Sequence, residues 1–215
     1  MNILFLGPSG SGKDTQIDLL KEVIPLEDIS TGDMFRTMYK EGHPIAVEAK
    51  KYWSKGVWNP DEQVFDLLAI WLERYNPEKS WAFSAAVRRE SQIPLFDEVL
   101  KIYNKTLDFV IHFSLSEEFA VQRLSLRWVC DGCGENYHEM YKVEKKQGVC
   151  DKCGSMLVQR EDDKPEKIKI RLAEYNKSID PIKKAYEKRG IWMDIDASSS
   201  IESIHEVVCK SLNIQ

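Results

Sequence analysis

No apolar run in this chain is long enough to span a bilayer, which argues against a membrane protein. The opening Met1-Asn2-Ile3-Leu4-Phe5-Leu6 carries no basic leader and its apolar stretch stops at Gly7, so a secretory signal is not expected. There is no excess of positive charge either. Lys and Arg number 30 against 35 Asp and Glu, a net charge of -5, which speaks against a nucleic-acid face. A local cluster of Arg and Lys remains compatible with a phosphate ligand. Internal repeats and low-complexity tracts are also missing. Without an export signal, the 5 cysteines point to a reducing, cytoplasmic setting and to metal binding rather than disulfides.

What the chain does have is a globular composition, with 43% hydrophobic and 30% charged residues over 215 positions. That length suffices for one sizeable core with small inserts. Ile3–Leu6 reads as a buried parallel strand, followed by a helix from near Gly12 that Pro25 ends. Ile29 closes a second short strand. Residues 31–59 read as helical but poor in apolar residues, a small mobile insert. Asp61–Tyr75 is a helix with a broad apolar face that includes Ile70. Trp81–Val87, Phe109–Phe113 and Ile191–Ile195 read as core strands. Glu117–Leu126 is helical, with Phe119, Ala120 and Leu124 on one side, and Pro165 opens a long helix to about Arg189. Cys209 falls on an apolar C-terminal helix pattern and reads as core. Strands alternating with helices predict an α/β fold with a parallel sheet.

Gly7-Pro8-Ser9-Gly10-Ser11-Gly12-Lys13 stands between a predicted strand and a predicted helix. Glycines there let successive N–H groups turn toward an anion, and the helix start adds its positive end. Lys13 then reaches the outer phosphates of a nucleotide. The usual Ser or Thr after the lysine is displaced by one place, with Asp14 first and Thr15 second. A carboxylate at a helix start is favourable, but facing the loop it would repel phosphate, so its side chain is expected to point away.

Cys130-x2-Cys133 and Cys150-x2-Cys153 are separated by sixteen residues, and each pair is followed by glycine (Gly134, Gly154). Four thiolates at this spacing close a tetrahedral zinc site with no open position, so the metal is structural. The donor set also accepts iron. His138 is nearby, but four sulfurs already complete the site.

Taken in order, these motifs resemble the adenylate kinases that carry a zinc-bearing lid, over nearly the whole chain. The loop Gly7–Gln16 resembles the family's phosphate loop, and Ile29-Ser30-Thr31-Gly32-Asp33-Met34-Phe35-Arg36 the start of its AMP-binding insert. Gly56 and Pro60-Asp61-Glu62 match the end of that insert, and Arg160-Glu161-Asp162-Asp163 the exit from the lid. The resemblance implies a P-loop core over 1–29, 60–126 and 164–215, an insert binding the nucleoside monophosphate over 30–59, and a zinc-binding lid over 127–163.

It also implies MgATP, AMP and ADP as small-molecule partners, and a monomer. Gly10, Ser11, Gly12, Lys13, Asp14, Thr15, Arg123 and Arg127 would bind ATP. Thr31, Arg36, Arg88, Gln92, Arg160 and Arg171 would bind AMP. Lys13, Arg88, Arg127, Arg160 and Arg171 would act on the moving phosphoryl group, with Asp33 orienting magnesium-bound water. The resemblance departs from the family at two places that matter. Glycine is the family's residue where Asp14 stands, and the family's Asp-Gly-Phe-Pro-Arg reads Ser84-Ala85-Ala86-Val87-Arg88 here. The second change keeps two alternatives open: a kinase of another nucleoside monophosphate, or a nucleotide-binding protein with weakened catalysis.

Overall fold

A computed structural model describes residues 1–214; Gln215, the last residue of the predicted core segment, lies outside the described residues. The central sheet has five parallel strands in the order β2-β3-β1-β4-β8. These are β1 (Asn2–Leu6), β2 (Leu26–Ser30), β3 (Ser80–Ser84), β4 (Phe109–Ser114) and β8 (Trp192–Asp196). Every residue of β1 is buried, as expected of a strand covered on both faces. Its side chains alternate between two cores. Leu4 and Leu6 join Ile29, Phe83 and Val110 beneath α4 (Asp61–Leu72) and α5 (Gln92–Ile102). Ile3 and Phe5 join Ile111 and Phe113 beneath α1 (Lys13–Val23) and α8 (Ile201–Ser211). Among the described residues, no helix is long and apolar enough to cross a membrane.

Several local readings need correction. The strand expected over Trp81–Val87 ends at Ser84, because Ala85 turns into the left-handed region (φ 54). Ala86 and Val87 are buried all the same, packed in the core as a loop beside the cleft. Residues 31–59 are richer in core contacts than their composition suggested. They form α2 (Thr31–Lys40) and α3 (Pro44–Trp53), and Met34, Phe35, Met38, Ala46 and Ala49 belong to the larger core. Ile70 and Phe119 are exposed, at 40% and 45%. Cys209 is only partly buried, with its sulfur 3.4 Å from His205 Nε2.

The cysteine-rich stretch has no sequence period because it is a small antiparallel sheet: β5 (Arg127–Cys130), β6 (Asn136–His138) and β7 (Leu157–Val158), in the order β6-β5-β7. It follows α6 (Glu117–Ser125) and leads into α7 (Pro165–Lys188). Its apolar cluster is only Cys130, Tyr137, Cys150 and Leu157, with Trp128 alongside. The unit touches the α2–α3 insert, where Lys40 Nζ donates to the Asp131 carbonyl at 2.6 Å.

Candidate active site

The turn after β1 owes its shape to glycine. A Cβ on Gly7 would sit 2.8 Å from the Phe113 carbonyl oxygen, and Gly12, the residue before α1, has φ 88. No side chain caps α1, so its first N–H groups face the open loop and are free for an anion. Lys13 folds back over the turn and donates to the Gly7 and Pro8 carbonyls, both at 2.9 Å. In α2 the start is capped instead, with Ser30 Oγ accepting from the Asp33 amide.

This loop is one wall of a cleft of about 430 Å³. Gly10, Ser11, Gly12, Lys13, Asp14 and Thr15 line it together with Thr31, Arg36, Arg88 and Gln92. Arg123, Arg127, Arg160 and Arg171 line its opposite side. Seven cationic side chains from α1, α2, the loop after β3, α6, β5, the segment after β7 and α7 therefore converge. Asp33 is the exception among the predicted residues: it does not line the cleft, and its half-exposed carboxylate pairs with Arg36.

The electrostatics are those of a site short of negative charge. Burial, with Arg88, Arg171 and Arg127 nearby, pulls the Lys13 ammonium down to about 8, against the attraction of Asp14. Burial and Arg171 lower Arg88 to about 10, and burial and Arg127 lower Arg160 to about 9. Each shift marks a cation that gains when a phosphate arrives. Arg160 also has a buried Nε with no partner.

Asp163, to which the sequence reading gave no role, holds two of these cations. Its carboxylate accepts from Arg127 Nε at 2.8 Å and Nη2 at 2.6 Å, and from Arg171 Nη1 at 3.1 Å. Arg171 Nη2 continues to Ser9 Oγ at 2.7 Å, tying α7 to the phosphate loop. In the motif Arg160-Glu161-Asp162-Asp163 three acids stand in a row, and only the fold singles out Asp163 by burying it.

Asp14 corrects a second expectation. Its side chain does not turn away; it lines the cleft and accepts a hydrogen bond from Ser84 Oγ at 2.6 Å. On the acceptor side, Gln92 Oε1 accepts from the Arg88 amide at 2.7 Å and Gln92 Nε2 donates to Asp61 at 2.7 Å. Asp61 also accepts from Arg89 at 2.6 Å, so the loop after β3 is anchored to the start of α4. Thr31 Oγ1 donates to the Ala85 carbonyl at 3.0 Å, and Thr31 lines the cleft.

The four cysteine sulfurs lie within 4.8 Å of one another. In each knuckle the glycine amide closes the turn: Gly134 N–H onto the Cys130 carbonyl at 3.0 Å, Gly154 N–H onto that of Cys150 at 2.9 Å. An all-sulfur tetrahedral donor set fits a zinc ion, and His138 is not part of the group.

A parallel sheet with an anion-binding loop after its first strand, facing guanidinium groups brought in from several other elements, defines a P-loop phosphotransferase class of protein. The comparisons narrow this. The family model described as adenylate kinase matches residues 5–191. The chain is 38% identical to the adenylate kinase of Archaeoglobus fulgidus over 95% of its own length and 94% of the relative's. It is 36% identical to that of Limosilactobacillus reuteri over 99% and 98%, and 35% identical to that of a Geobacillus species over 95% and 94%. The chain belongs to the adenylate kinase family.

Proposed function

We propose that this protein catalyses reversible phosphoryl transfer from MgATP to AMP, giving two molecules of ADP. The observation that carries this reading is the single cleft in which the loop after β1 faces a ring of guanidinium groups. Phosphoryl transfer asks little covalent chemistry of a protein; it asks for in-line positioning and for cancellation of charge on the moving group. Lys13 and the N–H groups of Gly10–Thr15 hold the donor phosphates, with Arg123 over the donor base. Arg36 and Arg88 grip the acceptor phosphate, while Thr31 and Gln92 read its base. Arg127, Arg160 and Arg171 surround the transferred group. Asp33 acts through Arg36, which it orients.

The segments 1–29, 60–126 and 164–215 form the core in this reading, with 30–59 and 127–163 as the inserts that close over the nucleotides. Closure keeps water from competing as acceptor. The four cysteines hold a structural zinc that lets the lid move as a rigid piece; the ion is closed to substrate and takes no part in the transfer. The protein works as a cytoplasmic monomer. The test is a coupled assay of ADP formation from MgATP with AMP, GMP, CMP and UMP in turn. AMP is expected to be the preferred acceptor. Preference for another monophosphate, or no ADP with any of them, overturns the reading.

A further inference from the structure

The two departures from the family pattern are hydrogen-bonded to each other. Asp14 stands where the family has glycine, and Ser84 where it has aspartate; their side chains meet at 2.6 Å although 70 residues separate them. Ser84 is the last residue of β3, buried at 5% exposure and in register with Phe5 and Ser30. It is therefore a fixed donor. Among the described residues, it is the donor that Asp14 Oδ1 has, and a carboxylate offers about four acceptor sites. Asp14 lines the cleft beside Lys13, so its other acceptor sites are available to a ligand there.

A lone carboxylate in a phosphate cleft repels the ligand unless a cation comes with it. Magnesium does come with ATP, keeps several of its waters, and takes its protein contacts from carboxylates. We propose that Asp14 orients the hydration shell of the magnesium carried by ATP, and that Ser84 is the positioning residue that aims it. The inference rests on the ATP-using reading given above.

Its environment keeps Asp14 charged for this task. Burial alone would raise its pKa, but Lys13 and the Ser84 hydrogen bond outweigh burial and hold it below the usual carboxylate range. Neighbouring Asp28 takes the opposite course, raised to about 7 by burial and by Asp14 itself. Two adjacent carboxyls are thus pushed apart, and the one in the cleft keeps its charge.

The experiment is calorimetric binding of the β,γ-imido analogue of ATP to the full chain, in excess magnesium and in EDTA. The wild type is expected to bind more tightly with magnesium. Asp14→Asn keeps the shape and the Ser84 contact but removes the charge. It is expected to lose about tenfold of the magnesium-dependent gain, one charge-assisted hydrogen bond at the low end, while binding in EDTA is unchanged or tighter. Ser84→Ala should lose a smaller part of the gain, and the exchange Asp14→Ser with Ser84→Asp should restore it.

A role confined to the helix start would lower thermal stability and leave the gain intact. Full gain in both Asp14→Asn and Ser84→Ala overturns the proposal and leaves the ATP-using reading standing. Absence of analogue binding by the wild type, with or without magnesium, overturns that reading and this one with it.

Discussion

Replacing Asp163 by Asn tests whether the lid-side cations are held by design of the fold or merely sit near one another. The Asp163 side chain is 1% exposed, and Arg127 and Arg171 are 17% and 18% exposed. Three donor contacts, at 2.8, 2.6 and 3.1 Å, converge on its two oxygens. Asparagine keeps one acceptor oxygen and turns an amide N–H₂ toward donors. Removing one partner of a buried pair costs about 3–5 kcal/mol, because the other charge stays behind uncompensated. The retained oxygen places the expected loss near the low end, about 3 kcal/mol.

For a domain of this length each kcal/mol moves the melting temperature by about 2–4 °C, so scanning calorimetry should show a fall of about 6–12 °C. Turnover should fall as well, by about tenfold or more, since both guanidinium groups lose their aim at the transferred phosphoryl group. A melting temperature within about 1 °C of the wild type would refute the energetic argument. A large loss of stability with unchanged turnover would refute the assignment of Arg127 and Arg171 to the reaction.

Metal removal should act on the lid alone. The lid's own apolar cluster is too small to hold it, and four thiolates drawn within 4.8 Å repel one another without a cation. Purified protein is expected to carry a single zinc ion per chain by elemental analysis, and chelation or Cys150→Ser to open residues 131–156 to protease while the sheet core stays resistant; an unchanged digestion pattern would contradict this. Asp28 gives a pH test. Burial, then Asp14, raises its folded pKa from 3.8 to about 7, and Oδ1 is buried without a partner. Because the unfolded chain releases this proton first, stability is lost as pH rises from 3.8 toward 7, and the full penalty is present above that. Asp28→Asn should therefore stabilise by on the order of 4 kcal/mol in denaturant titrations at pH 8 and by almost nothing near pH 4; equal effects at both would rule out the protonation account.

Features coded by neighbours in sequence were legible without the fold. The unbroken apolar run of β1, the glycines and lysine of the following loop, and two Cys-x2-Cys knuckles each specify a local shape and its chemistry. The arginines could be named as a set because the motifs around them occur in family order. What could not be read was where each side chain points once strands are in register. Whether Asp14 faces the cleft depends on β3 ending at Ser84, and that end depends on a left-handed turn at Ala85 that an apolar run conceals. Asp33 looked like a cleft residue by position, yet Arg36 one helical turn on captures it. Asp163 looked like one acid among several, until α7 and β5 brought two guanidinium groups onto it. Spacing along the chain fixes backbone conformation, a short-range property. The partner of a charged side chain is chosen across tens of residues by sheet pairing and helix docking, so only the tertiary structure decides it.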